Sequence, residues 1–319
     1  MLSVLTVTFP FFALVLCGWL ATRAGALPLN AIAGLNTFVL YFALPCLLYR
    51  LGARTPLEQL LDPAAAVLYA VSALLLVAGV IALTRRGAMG WNDAAFGALV
   101  TAFPNSGFMG VPLLVALRGE HSAGPVFLTM AIDMCLTSSL CIGLSRLDQG
   151  GVHSMGRALR QALRAVALNP LPLAIVLGGL ASAWQWQLPQ PIDRSLGMLG
   201  DAASPVALFT IGAVLARAQM QPHEAVAPRQ YVPLALTKLV LHPALVWLLG
   251  QLAQAAGWPL APETLAVLVL VAALPSASNV AMLVERFGAH SGRVAHIILV
   301  STALAFLTFS AIVAWLAEP

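Results

Sequence analysis

Long apolar runs, separated by short polar connections, occupy this chain from one end to the other. A helix that crosses a bilayer needs about 20 mostly apolar residues. The hydropathy pattern predicts such spans near 2–22, 30–50, 64–84, 93–117, 123–145, 167–187, 195–216, 230–256, 263–287 and 292–316. The sequence therefore predicts an all-α integral membrane protein with ten transmembrane helices.

The composition agrees with a single membrane domain. Hydrophobic residues make up 60% of the 319 residues and charged residues only 9%, against about 25% charged in soluble domains. The net charge is +4, but the basic residues are scattered through short connections, which does not favour a nucleic-acid partner. No cofactor and no metal site are expected, and the predicted environment is the lipid bilayer.

The arginines indicate an orientation. Alternating the spans across the bilayer places eleven arginines on one side and Arg50, Arg54, Arg118 and Arg194 on the other. By the positive-inside rule the first side is cytoplasmic. We therefore expect a multi-pass protein of the bacterial inner membrane with both termini on the periplasmic side.

The two halves of the chain resemble each other. At an offset of 160 residues, Gly18 meets Gly178 and Gly52 meets Gly212, and at 171 residues Pro104 meets Pro275. This predicts a first repeat over 1–145, a cytoplasmic connecting loop over 146–166 and a second repeat over 167–319. Because each repeat has an odd number of spans, the two are inverted in the membrane.

The fourth and ninth spans carry prolines at equivalent positions of the two repeats. Proline removes a backbone donor, and transporters with inverted repeats build midplane sites from helices broken in this way. The amino end of a half-helix attracts a carboxylate through its amides and dipole. The predicted helix breaks are Pro104, Pro112 and Pro275. The predicted substrate-binding residues around them are Asn105, Ser106, Gly107, Ser276, Ser278, Asn279 and Val280. The alternative is that the prolines only kink two packed helices.

Three ionisable residues within the predicted spans are candidates for function. An ionised Asp133 in mid-span is costly, so it should face a cavity, bind a cation, carry a proton or hydrogen-bond a neighbouring helix. Ser138, one turn further on, joins the predicted substrate site, while hydroxyls there are also common in helix packing. Lys238 and His242 lie one turn apart and are candidates, with Asp133, for coupling to H⁺ or Na⁺. The alternatives are a lysine that snorkels to the interface and a hydrogen-bonded packing histidine.

The motifs resemble those of the auxin efflux carrier family. Its fourth-span signature is similar to Phe103-Pro104-Asn105 followed by Met109-Gly110-Val111-Pro112, and its second-span pattern is similar to Asn36-Thr37-Phe38-Val39 followed by Phe42-Ala43-Leu44-Pro45. The resemblance implies crossing broken helices 4 and 9, as in sodium/proton antiporters and bile-acid carriers, and an elevator-type motion of a crossover part against a scaffold. It also implies that Asn105 contacts the substrate carboxylate and that Asn36 contributes to the cavity. The chain has no large loop after span five, which makes auxin itself doubtful.

The predicted function is secondary transport of a small carboxylate such as malonate or malate. No nucleotide-binding loop and no protease motif occur in the sequence, so the chain is expected not to be an enzyme. A carrier of steroid acids or inorganic cations, driven by Na⁺ or H⁺, a passive channel and a sensor are alternatives. Assembly of the chain as a homodimer is a further hypothesis.

Overall fold

A computed structural model of the chain describes residues 2–55, 62–87, 89–147, 156, 160, 164, 168–220 and 226–317. Their regular structure is helical. We number twelve helices: α1 Leu2–Arg23, α2 Ala31–Arg54, α3 Pro63–Arg86, α4 Trp91–Ala102, α5 Ser106–Arg118, α6 Glu120–Leu144, α7 Pro170–Ala183, α8 Gln190–Met220, α9 Val232–Ala255, α10 Pro262–Ala273, α11 Val280–Phe287 and α12 Ser291–Ala317.

Several of these helices are suited to a bilayer. Within the described ranges, six helices are long and apolar enough to cross a membrane, namely α2, α3, α6, α8, α9 and α12. Shorter apolar helices cover Thr8–Arg23, Ser106–Arg118, Pro170–Ala183 and Pro262–Ala273. The predicted all-helical membrane class is confirmed, while the number of ten spans stays a prediction.

In the part of the chain that the structure describes, four helices contain a π turn, at Val39–Ala43, Ser106–Gly110, Asp133–Thr137 and Thr237–Leu241. Three of the turns end two residues before a proline: Pro45, Pro112 and Pro243. A proline ring clashes with the carbonyl four residues earlier, and a wider turn at that place relieves the clash. The prolines inside α2, α5 and α9 are thus accommodated without ending the helix.

The chain folds into two compact units, each assembled from separate stretches of sequence. Unit 1 comprises Met1–Asp62, Gly107–Leu128 and Leu168–Pro222, and unit 2 comprises Pro63–Ser106, Thr129–Ala167 and His223–Pro319. Each unit therefore takes helices from both predicted repeats. The predicted connecting loop 146–166 lies almost entirely outside the described residues.

In unit 1, two helix crossings depend on glycine. A Cβ on Gly18 of α1 would strike the backbone of Phe209 in α8, and one on Gly212 of α8 would strike Val15 in α1. The crossing of α2 and α7 is built the same way. There, Gly178 lies against the carbonyl oxygen of Tyr49, and Gly52 lies against the backbone of Ile175 and Gly178. Glycine lets the backbones approach closely, as small residues do between membrane helices.

In unit 2, α3 packs against α4 and α9, and α10 packs against α9 and α12. Most of the side chains at these contacts are apolar, including Phe96 and Leu268. Buried among them are Tyr69, Asp133, Lys238 and His242, each with a side chain inaccessible to solvent. Polar groups this deep require partners inside the protein.

Candidate functional site

Two of the three predicted helix breaks are interruptions in the structure. The backbone leaves the helix after Ala102 and resumes at Ser106, and it leaves again after Ala273 and resumes at Val280. Pro104 and Pro275 lie in these two interruptions. Pro112 does not: the helix continues through it behind a π turn, so its predicted role as a helix break is wrong.

The two interruptions pair with each other as a short antiparallel bridge between Pro104 and Ser276. The amide of Asn105 donates to the carbonyl oxygen of Pro275 at 2.8 Å, and the amide of Ala277 donates to the carbonyl oxygen of Phe103 at 3.0 Å. A buried backbone amide that loses its helical partner must find another. Each broken segment therefore supplies partners for the other.

This pairing changes what the break offers to a ligand. The sequence suggested unpaired amides at the amino ends of the half-helices, but many of these amides already have acceptors in the structure. The amide of Ser276 donates to Ser301 Oγ at 3.2 Å. The amides of Val280 and Ala281 donate to the carbonyls of Ala277 and Ser278 in a turn. A ligand would therefore meet mainly side chains.

Two side-chain oxygens at the ninth-span break have no partner. Ser276 Oγ and Asn279 Oδ1 are both buried and form no hydrogen bond. A hydroxyl can donate to an anion, and a half-turn of the Asn279 amide exchanges its oxygen for its NH₂ group. Beside them, Asn105 and Ser106 are only 3% and 1% exposed. Buried polar atoms without partners are expected where a ligand binds.

Asp133 lies at the centre of a second polar group in unit 2. Tyr69 donates from its hydroxyl to Asp133 Oδ2 at 2.8 Å, and Thr137 donates to Oδ1 at 3.1 Å. The Ser138 hydroxyl donates to the backbone carbonyl of Asp133 at 2.9 Å. Ser138 therefore provides a hydrogen bond to a carbonyl of the π turn and not to the carboxylate. The carboxylate thus joins α3 to α6 inside the unit.

Lys238 and His242 are also buried in unit 2. Lys238 Nζ is 3.0 Å from His242 Nδ1 and donates to the carbonyl oxygen of Ala272 at 2.8 Å. His242 Nε2 is buried without a partner, and the His242 ring lies 6.1 Å from the ring of Tyr69. Lys238 does not snorkel, since it is fully buried. Asp133 and Lys238 form no ion pair within 4 Å but act on each other electrostatically.

Unit 2 therefore brings together most of the predicted site residues: Pro104, Asn105, Ser106, Asp133, Ser138, Lys238, His242, Pro275, Ser276, Ser278, Asn279 and Val280. Asn36, Gly107 and Pro112 belong to unit 1.

The prediction missed Tyr69, Ser301 and the carbonyl of Ala272. The sequence contains a signal for Tyr69, because a tyrosine in the middle of an apolar span needs a hydrogen-bond partner. The sequence contains no such signal for Ser301, since serine is common in membrane helices.

Comparison with known proteins places this site in context. A family profile described as "Membrane transport protein" matches residues 3–313. The "Putative malonate transporter" of Rhizobium meliloti is 30% identical over 97% of this chain and 94% of its own length. The "Uncharacterized transporter YfdV" of Escherichia coli is 23% identical over 88% of both chains. "Auxin efflux carrier component 8" of Arabidopsis thaliana is 23% identical over 85% of this chain and 86% of its own.

The structure has helices able to span a bilayer, and the family that matches the chain consists of transporters. The chain is therefore a multi-pass membrane transport protein, not an enzyme. The chain belongs to the membrane transport protein family, that of the auxin efflux carriers. Its bacterial relatives place it in the inner membrane.

Proposed function

We propose that this protein is a secondary carrier of small organic anions, with a dicarboxylate such as malonate or malate as its substrate. The observation that carries the proposal is the pairing of the two broken helices beside Ser276 Oγ and Asn279 Oδ1, which lack partners. Asn105 adds a side-chain amide at the same place, as it does in the family pattern. The similarity to the "Putative malonate transporter" supports a carboxylate substrate.

Ser276 and Asn279 suit a carboxylate better than a cation. A carboxylate accepts hydrogen bonds, and Ser276, Asn279 and Asn105 offer a hydroxyl and two amide groups as donors. The amino end of α11 adds a positive dipole next to Asn279. A divalent metal ion as substrate would need several acidic or imidazole ligands, and the described residues contain no group of three His, Cys, Asp or Glu side chains able to hold a metal ion.

The buried group of Tyr69, Asp133, Lys238 and His242 is the proposed site of coupling to H⁺ or Na⁺. Asp133 can take up or release a proton, Lys238 and His242 can share one across 3.0 Å, and a carboxylate can also bind Na⁺. Lys238 connects this group to the crossover, because its other hydrogen bond ends on Ala272, in the last turn of α10. A change of charge in the group would therefore reach the substrate residues directly.

Alternating access in this proposal is an elevator motion in a ten-span protein of two inverted repeats, with both termini outside. Two observations support the repeat. The Gly18 and Gly212 contact of α1 with α8 has a counterpart in the Gly178 and Gly52 contact of α7 with α2, as a repeat at offset 160 requires. Both units also draw on both halves of the sequence. Assembly as a homodimer stays a prediction.

The decisive test is counterflow of labelled malonate in proteoliposomes, in competition with mono- and dicarboxylates. We expect uptake by the wild type and at least about tenfold less by Asn105→Ala and Asn105→Asp, since each removes amide donors from a carboxylate. Asn30→Ala is the matched control, because Asn30 is exposed and makes no side-chain cap. Folded wild-type protein that exchanges none of these anions would contradict the proposal, and cation flux would be measured next.

A further inference from the structure

Unit 1 contains an open cleft of about 620 Å³ whose lining shares no residue with the proposed substrate and coupling sites. Its walls come from the last turns of α2 and α7, the connection after α7, and the first turn of α8. The polar and aromatic side chains of its lining include Arg50, Arg54, Gln185, Trp186, Gln187 and Gln190. We propose that this cleft binds the phosphate headgroup of an anionic phospholipid.

Two guanidinium groups, those of Arg50 and Arg54, and one carboxylate, that of Asp193, line the cleft and leave it with a net positive charge. Arg50 Nε lies 3.8 Å from Asp193, and Nη1 lies 3.6 Å from Asp201. Both distances are too long for good hydrogen bonds, and Arg50 Nε is buried and forms no hydrogen bond. Arg54 makes one 3.3 Å contact with Glu120, and both of these side chains are more than half exposed. Each guanidinium has five N–H donors, so both keep donors available for a phosphate.

The cleft has shape and polar groups for more than a bare ion. Gly197 provides room for the Arg50 guanidinium, since a Cβ there would lie 3.2 Å from Nη1. Gln187 and Gln190 line the wall, and Gln185 is held by its hydrogen bond to the carbonyl of Ser182. Side-chain amides can donate and accept hydrogen bonds with the hydroxyls of a glycerol headgroup. The volume of the cleft is several times that of a phosphate group.

An apolar stripe leads away from the cleft along the same helix. Leu173, Val176, Leu177 and Leu180 of α7 are 40–58% exposed and lie on one helical face. This face continues to Trp184, while the adjoining face of α7, with Ala181 and Ser182, turns toward α2 and lines the cleft. Trp184 and Trp186 follow and are 73% and 64% exposed. Tryptophan is enriched at the membrane interface. A lipid with its phosphate on the arginines would lay an acyl chain along this stripe.

A soluble phosphate or carboxylate would satisfy the arginines equally well, but it would not use the stripe or the tryptophans. The two sources are distinguished by lipid binding, measured by native mass spectrometry on detergent-solubilised protein. The probes are phosphatidylglycerol, phosphatidylcholine with the same acyl chains, and free glycerol phosphate as a competitor.

We expect the wild type to retain phosphatidylglycerol in preference to phosphatidylcholine, and free glycerol phosphate not to displace it. Arg54→Gln should weaken retention about tenfold, as expected for the loss of a charge-assisted hydrogen bond, and Arg54→Glu should weaken it further. Both should fold, because the Arg54 side chain is 53% exposed. Arg194→Gln is the control, an exposed arginine beside Asp193 that does not line the cleft.

Equal retention of the two lipids would overturn the inference, as would full retention by Arg54→Glu. Displacement by glycerol phosphate would assign the cleft to a soluble anion and also overturn it. None of these outcomes depends on malonate exchange, so the inference and the proposed function fail separately.

Discussion

Lys238 donates a 2.8 Å hydrogen bond to the carbonyl oxygen of Ala272, the next-to-last residue of α10. The last carbonyls of a helix lack partners within the helix, and a cation there is favourable. Lys238 is therefore a cap for the half-helix that ends at the crossover. This one contact joins the buried ionisable group to the backbone that carries the candidate substrate residues.

Replacement of Lys238 by methionine should destabilise the protein by about 1–3 kcal/mol, because it leaves the Ala272 carbonyl without its donor and Asp133 without its buried cation. Thermal unfolding in detergent, followed by tryptophan fluorescence, measures this change. If the two charges attract, the Lys238→Met/Asp133→Asn double variant should lose less stability than the two single variants together. The difference in the free energy of unfolding should be about 0.5–3 kcal/mol. Strict additivity would argue against such attraction.

Asp133→Asn should separate coupling from binding. The amide keeps the size of the side chain and can still accept from Tyr69, but it carries no charge and no exchangeable acid proton. We expect malonate counterflow without a gradient to persist, while uptake driven by an imposed H⁺ or Na⁺ gradient is lost. Measuring the two gradients separately identifies the coupling ion.

The control for this experiment is Tyr69→Phe, which removes only the 2.8 Å hydrogen bond to Asp133. It should retain a gradient response. A variant Asp133→Asn that still concentrates malonate as the wild type does would remove Asp133 from the coupling mechanism.

The unpaired oxygens at the ninth-span break predict a defect in substrate affinity. Asn279→Ala should raise the malonate KM about tenfold or more, since a lost hydrogen bond to a charged ligand costs about 1.5–3 kcal/mol. Ser276→Ala should act in the same direction. The thermal stability of both variants should stay near that of the wild type, because the deleted atoms have no partner in the protein.

Ser301→Ala provides the contrast. Ser301 Oγ accepts from the Ser276 amide inside the protein, so its loss should lower stability as well as transport. An unchanged KM in Asn279→Ala, with the protein folded, would rule out contact between Asn279 and the substrate.

The glycine crossings of unit 1 predict where a single methyl group is not tolerated. Gly18→Ala and Gly178→Ala place a Cβ against backbone carbonyls, and overpacking of this kind costs about 1–3 kcal/mol. Gly34→Ala is the control, because nothing lies within 4 Å of a Cβ there, and alanine favours helix by up to about 1 kcal/mol. Equal melting temperatures for all three variants would show that the crossings are looser than the structure has them.

Much of the fold and part of the site could be predicted from the sequence. The apolar runs determine that the chain is a helical membrane protein, because no soluble core could enclose so many apolar residues. Pro104 and Pro275, at equivalent positions of the two repeats, predict where two helices break. Asp133 and Lys238 were predicted as functional because a charge within a span is costly without a partner.

The tertiary structure decided which groups meet. Tyr69 and Asp133 lie 64 positions apart, and only the packing of α3 against α6 brings the hydroxyl to the carboxylate. The amides near the breaks, expected from the sequence to be free, are satisfied by the opposite break and by Ser301. Pro112 remains within a helix because the π turn before it relieves the clash. The sequence shows which groups need partners, but contacts between distant helices determine what those partners are.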